Sequence, residues 1–334
     1  MMSNTPHDAL VEAILSRPEH AATALRAMLP AELSAALDWS ALRTEPASYV
    51  SVEGGARHSD LLFAIPLRGD SSREVVVYVL FEHQSSSDPL MALRLFVYVA
   101  RLFEDRVLRA RLKHVPLVVP IVLAHAEQPW VGALSLDGLY DAPSALLEAL
   151  GPLVPRLSYL LEDLTSMTDD DIGARVADSV VRTTWTVLRD ARRSEDLFAY
   201  AKRLGKLLVE VHRQDRPAFA TLFEYLLRTK DADPATARKV ADLLPAEAQE
   251  DIVTAYDRIH AEGEAEGEAR GEAKGKAEGK LDGRRAALAK QLQLKFGALD
   301  DVMRARLDTA DEAQLDLWAE RILFAASLDQ MLTG

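Results

Sequence analysis

Cysteine is missing from all 334 residues. Its absence excludes disulfides, thiolate catalysis and cysteine-ligated zinc, and it makes the cytosol the expected compartment. No stretch approaches the roughly eighteen uninterrupted apolar residues that a bilayer-spanning helix needs. The opening MMSNTPHDALVEAILSRPEH has no basic segment followed by an apolar block, so neither an anchor nor a signal peptide is expected. There is no G-x-x-x-x-G-K-[ST] and no dinucleotide fingerprint, which leaves a nucleotide cofactor without support. His58, His83 and His125 match no zinc spacing. Basic charge is scarce as well: 39 Lys and Arg against 52 Asp and Glu leave a net charge of −13.

That deficit weighs against a partner bound through its phosphates, because such binding usually leaves a basic footprint. A local patch can still act, since screening sets in over about 10 Å. From Arg94 to His114 the chain holds five arginines and one lysine against two acids, a run that also reads as a solvated helix face. The 49% hydrophobic and 27% charged content are those of an ordinary globular chain, and the length allows two or three domains.

The first fifty residues read as short helices broken at Pro18 and Pro30, with AELSAALDW continuing the pattern. Then the texture changes. SYVSV, SDLLFAIPL and REVVVYVLFEH are rich in β-branched and aromatic residues and separated by GGAR and RGDSS turns, which predicts three strands with the last two in a hairpin. A helix from about Pro89 to Leu112, a buried strand in VPLVVPIVLA, a helix near Ala142–Leu150 and a strand in RLSYLLEDLT complete an α/β core over residues 1–166. Residues 167–259 carry only helical spacing. Gly263, Gly267, Gly271, Gly275, Gly279 and Gly283 recur every fourth position among Ala, Glu, Lys and Arg. Segment 260–285 therefore reads either as a flexible charged linker or as a helix whose glycine stripe lets a second copy approach. Residues 286–334 form a small helical module with Phe296, Leu307, Leu315, Trp318 and Ile322 as its expected core.

One constellation carries chemistry. Glu82 and Gln84 stand two apart at the end of an otherwise apolar strand, so they share a face. Asp60 opens the preceding strand, and a hairpin of that length brings it beside Glu82. A carboxylate at a buried strand end needs a partner. Two of them converging make a hard oxygen site suited to Mg²⁺. Gln84 cannot ionise but can hydrogen-bond a water or a phosphate oxygen. Alone, the D-x21-E-x-Q spacing is a weak signal, and on it Asp60 and Glu82 read first as a turn residue and a strand-end surface acid. Met91, Arg94, Tyr98 and Arg101 line one face of the following helix; buried arginines there need an anion, either these carboxylates or a DNA phosphate.

The text around these residues resembles a known family. EHQSSSDPLMALRLFVY, with HSDLLFAIPL before it and VVPIVLAHAEQPW after it, is similar to the recombination-promoting nuclease family, also described as transposases, of the PD-(D/E)XK nuclease superfamily. PHDALVEAILSRPEHAATALRAMLP and the glycine-period tail extend the likeness over nearly the whole chain. The resemblance implies a restriction-endonuclease-like fold, a mixed sheet flanked by helices, and metal-dependent cleavage of DNA. It gives Asp60 the place of the motif aspartate, Glu82 that of the acidic residue, and Gln84 the place where the wider superfamily has lysine. Asp8 matches the carboxylate that the first helix can lend to such a site; its plain role is an N-cap. The competing expectation is a protein that keeps the fold and binds DNA or oligomerises without cutting, which Gln84 and the acidic net charge favour.

Overall fold

Near-continuous apolar runs decide the middle of the sheet, because strands buried on both faces cannot alternate with polar residues. The computed structural model describes residues 5–46, 60–82, 88–109, 114–125, 128–191, 196–230 and 232–332. Within them, α1 (Pro6–Leu15), α2 (Pro18–Met28) and α3 (Ala31–Ala36) lead into β1 (Arg43–Glu45), β2 (Asp60–Leu67) and β3 (Asp70–Glu82). Then come α4 (Met91–Glu104), β4 (Leu117–Ala124), α5 (Ser144–Leu150) and β5 (Leu160–Asp163). The sheet runs in the order β1-β2-β3-β4-β5. β1, β2 and β3 pair antiparallel, whereas β3, β4 and β5 pair parallel. A mixed sheet flanked by helices and followed by a helical C-terminal region is the α/β architecture that the sequence predicts.

On one face of the sheet, Leu62, Val76, Tyr78, Leu80, Val122 and Ala124 pack with Met91, Leu95, Tyr98 and Leu102 of α4. The residues between them, Phe63, Val77, Phe81, Ile121 and Leu123, are buried too. Both faces of β3 are therefore covered, as VVVYVLF requires. At the hairpin, Gly69 has φ of +81°, a conformation that a side chain disfavours. Beside it the β2–β3 register shifts between Pro66 and Leu67, a place that tolerates a residue without an N–H.

Several boundaries differ from the sequence reading. Helix α4 ends at Glu104 and continues as one π turn over Asp105–Arg109 instead of running as α-helix to Leu112. The AELSAALDW segment breaks after Ala36 and resumes as a 3-10 turn at Trp39–Ala41, where Asp38 accepts from the Ser40 N–H. Its Trp39 indole donates to the Ser34 carbonyl at 2.9 Å. β1 was not anticipated, and SYVSV lies outside the described residues.

After the sheet follow α6 (Asp169–Arg175), α7 (Ser179–Asp190), α8 (Leu197–Gln214), α9 (Arg216–Thr229), α10 (Pro234–Ala241) and α11 (Ala246–Phe296). The chain divides into two units at Asp257 and Arg258, so α6–α10 belong to the same unit as the sheet. Within that unit α1 packs on α7 and α9. Aspartates begin α7, α8, α9 and α10, each accepting from a first-turn N–H. In the second unit, Leu288 and Leu292 of α11 meet α12 (Asp301–Thr309), α13 (Glu312–Arg321) and α14 (Leu328–Leu332). Leu307, Leu315 and Ile322 are buried there, with Phe296 and Trp318 packed against them. The glycine-period segment is helical throughout, and a Cβ built on any of its six glycines meets open space. Its neighbours pair at i,i+4, Glu272 with Lys276 at 2.5 Å and Lys274 with Glu278 at 3.8 Å. Among the described residues no helix is long and apolar enough to cross a membrane.

Candidate active site

β2 opens on Asp60 directly across the ladder from Leu80. Opposed residues share a face, so Asp60 stands on the side of the sheet covered by α4. Tyr78 is its diagonal neighbour, two positions back along β3 and in register with Leu62. The Tyr78 ring is buried and meets the edge of the buried Tyr98 ring, with centroids 5.9 Å apart. Arg94 and Tyr98 sit one helical turn apart on α4 and both serve this corner. Arg94 donates to Asp88 at 2.6 Å, and Asp88 also accepts the Leu90 N–H at 2.8 Å, which fixes the guanidinium to the entry of the helix. The loop after β4 closes over it: a Cβ on Gly132 would stand 3.2 Å from the Asp88 carbonyl. Trp130 donates its backbone N–H to Asp163 at 2.9 Å and packs edge-on against Tyr159.

The electrostatics of Asp60 follow from this packing. Burial pushes its pKa up to about 6, while the Tyr78 hydroxyl and the Arg94 charge pull it down by less. Neither Asp60 Oδ1 nor the Tyr78 hydroxyl, both buried, completes a hydrogen bond of good geometry among the described residues. Burial, with the Asp60 charge next, drives the Tyr78 hydroxyl far above its ordinary pKa. A desolvated carboxylate with an orphaned oxygen fits a hard divalent cation.

The other expected site residues divide. Glu82 is the last residue of β3 and pairs in register with Ala124 of β4, two positions beyond Leu80. Gln84, with His58 and His83, lies outside the described residues. Asp8 is buried and occupies the third position of α1, where it accepts from the Thr5 backbone N–H at 3.2 Å and the Thr5 hydroxyl at 2.7 Å. Thr5 is therefore the N-cap, and Asp8 closes the capping box from inside the helix. His125, buried at the end of β4, packs its ring 5.0 Å from that of His7, and His7 Nδ1 lies 2.9 Å from the Tyr225 hydroxyl.

Two further groups of ionisable residues are already neutralised. Glu162 of β5 has its pKa raised by burial, yet Arg175 grips it with two bonds of 2.5 and 2.7 Å. Glu19, His20 and Asp215 converge closely enough to surround an ion. The Arg17 guanidinium, however, contacts Asp215 at 2.5 Å and Glu19 at 3.4 Å, so a cation already occupies that cluster. Tyr78 and Asp88 carry little site signal in the sequence. The aromatic looked like core in VVVYVLF, and its signal was parity: it shares a strand face with Leu80, opposite Asp60.

Comparison with known proteins gives the arrangement a context. Over 265 residues, 78% of this chain and 86% of the relative, it is 29% identical to recombination-promoting nuclease RpnA of Escherichia coli K12. It is 30% identical to recombination-promoting nuclease RpnD of Escherichia coli O157:H7 over 77% of this chain and 95% of the relative. It is also 29% identical to the inactive recombination-promoting nuclease-like protein RpnE of Escherichia coli K12, over 78% of this chain and 83% of that protein. No solved structure matches. The family described as "Putative transposase, YhgA-like" matches residues 5–218, a span that includes the whole sheet, the Asp60–Tyr78–Arg94 corner and α1 through α8, and this chain belongs to that family.

Proposed function

We propose that this protein is a metal-dependent DNA endonuclease that promotes recombination or transposition-like events. The observation that carries the reading is Asp60: a half-buried carboxylate at a strand end, whose buried Oδ1 has no hydrogen-bond partner of good geometry among the described residues. The ladder supports a second ligand, because Glu82 follows Leu80 by two positions and so has the parity of Asp60. The names of RpnA and RpnD support the activity. Asp60 and Glu82 would hold Mg²⁺ or another divalent cation. The chemistry such an ion supplies is polarisation of a phosphodiester and a lowered pKa for the attacking water. Gln84, uncharged, would orient that water or a phosphate oxygen by hydrogen bonding. Arg94 adds positive charge beside Asp60, Tyr98 backs the Tyr78 ring, and Asp8 steadies the first helix.

A second reading has its own support. Gln84 lacks the charge of the superfamily lysine, and RpnE, equally similar, is named inactive. In that reading the chain keeps the fold and binds DNA without cutting it. Supercoiled plasmid incubated with Mg²⁺, with EDTA, and with the Asp60→Ala variant separates the two. Nicking that needs both the metal and Asp60 supports the endonuclease; DNA retention without nicking supports the scaffold.

The proposal extends to assembly: α11 pairs with α11 of a second copy through its glycine stripe. Glutamates at 262–268 and Lys280, Arg284 and Arg285 at the other end favour an antiparallel pair, which sets acid against base.

A further inference from the structure

A phenylalanine at position 78 would fill the space between sheet and α4 without burying a hydroxyl. The chain instead places a tyrosine there, 1% exposed, among Leu62, Leu80, Leu95 and Leu102. Burying a hydroxyl is unfavourable unless something gains from it. Its nearest polar neighbour across the ladder is the Asp60 carboxyl, and the Tyr98 ring of α4 packs against it from the other side. Both ends of this pair are orphaned: neither Tyr78 O–H nor Asp60 Oδ1 has another partner of good geometry among the described residues. The backbone brings them together, since Asp60 and Tyr78 are diagonal neighbours of a regular antiparallel ladder, a spacing that aromatic side chains span. From the other side the edge-on Tyr98 ring limits where the Tyr78 ring can go.

We infer that Tyr78 is the positioning residue of Asp60. Its O–H donates to one carboxylate oxygen and so leaves the other turned toward the divalent cation. The inference rests on the reading of Asp60 as a metal ligand. Hydrogen bonds at site residues of this kind commonly tighten only when the ligand is in place. Groups that hold a metal ligand from behind typically change affinity by about 10- to 100-fold when removed. Because tyrosine to phenylalanine retains the ring packing, the loss should fall on the metal rather than on the fold.

The test is calorimetric titration of the full-length protein with Mn²⁺ alone, without DNA, for the parent, Asp60→Ala, Tyr78→Phe and Tyr159→Phe. Tyr159 lies in the same core and donates its buried hydroxyl to the Ala133 carbonyl at 3.0 Å, so its variant controls for the loss of any buried hydroxyl. Circular dichroism melts report the folded fraction of each. The expected result is binding by the parent, none by Asp60→Ala, affinity weakened about 10-fold or more in Tyr78→Phe, and parent-like affinity in Tyr159→Phe. Equal affinities for parent and Tyr78→Phe, with Asp60→Ala inactive in binding, overturn the role of Tyr78 and leave Asp60 as ligand. Equal weakening in Tyr78→Phe and Tyr159→Phe reduces Tyr78 to packing. A parent that takes up no Mn²⁺, or takes it up without needing Asp60, overturns the ligand reading and this one with it.

Discussion

His20 Nε2 lies 2.9 Å from Oδ2 of Asp215, which ties α2 to the residue that begins α9. On its other side Nδ1 stands 3.6 Å from Asp178, which begins α7. Burial alone would push the imidazole pKa down, but hydrogen bonding and charge from both aspartates outweigh it and hold the value above that of a free histidine. Arg17 also contacts Asp215, and Gln214 contacts Asp178. Burial would raise both aspartates too; their hydrogen bonds and charge partners bring them below the usual carboxylate range.

A pH dependence follows with a definite sign. A histidine whose pKa is higher folded than unfolded adds stability that is complete below its unfolded value of 6.5 and disappears as pH rises through the folded value. The aspartates act oppositely, adding stability above 3.8 and losing it on acidification through their lowered values. Urea midpoints should therefore fall as pH is raised from 6 to 9. His20→Ala should cost about 2 kcal/mol at pH 6, since it removes a charged hydrogen bond to Asp215 while Arg17 and Gln214 still contact the two carboxylates, and should flatten that slope. A variant with the parent's slope would remove His20 from this role.

Asp60 should set stability against activity. A carboxyl that burial pushes to about 6 from 3.8 is costly to keep ionised at pH 7, on the order of 2–3 kcal/mol. Asp60→Asn should raise the melting temperature by several degrees in EDTA while abolishing Mg²⁺-dependent nicking. Thermal melts with and without Mg²⁺ check this, and a lowered melting temperature in EDTA would count against a strained carboxylate.

Asp190 is fully buried between two arginines. Arg189 reaches it at 2.8 and 3.0 Å and Arg203 at 2.8 Å, and Arg189 also grips Asp169. Asp190→Ala should cost roughly 3–5 kcal/mol in chemical unfolding, because it leaves the Arg189 charge facing a hole. A cost below about 1 kcal/mol would show that water or Asp169 takes over.

The glycine stripe makes opposite demands on one chain and on two. Gly271→Ala with Gly275→Ala should strengthen an isolated helix by roughly 1 kcal/mol each, and both new methyl groups enter open space. In a pair of stripes the same methyls hold the backbones apart. The double variant should show equal or greater helicity by circular dichroism and a loss of dimer by light scattering, as should a truncation ending near Tyr256. A parent that is monomeric rules the pairing out.

The middle of the sheet was legible because β2, β3 and β4 are near-continuous apolar runs and the β2–β3 hairpin carries Gly69, so period and turn agree. β1 was not, because Arg43, Thr44 and Glu45 carry no apolar signal and form a strand only by pairing with Leu62–Ala64. Asp60 and Glu82 are singled out in the sequence by their place at the ends of apolar runs. Asp88 and Tyr78 could not, since one resembled a loop acid and the other a core aromatic. Their significance depends on α4 folding back over β3, which no local spacing reports. Asp8 was legible as a helix-start residue, but its N-cap partner Thr5 becomes visible only with the capping box.

The irregularity between Pro66 and Leu67 acts as slack in the hairpin. From Asp60↔Leu80 to Pro66↔Glu74 the pairing is unbroken, and the shift that follows separates this span from the turn at Arg68 and Gly69. Changes of length near the turn can thus be absorbed before they reach the far end. Inside the unbroken span no such tolerance exists, because side chains alternate with a period of two. One residue added between Leu61 and Ile65 would carry Asp60 through the sheet to the face away from Arg94, without altering a single atom of its own chemistry.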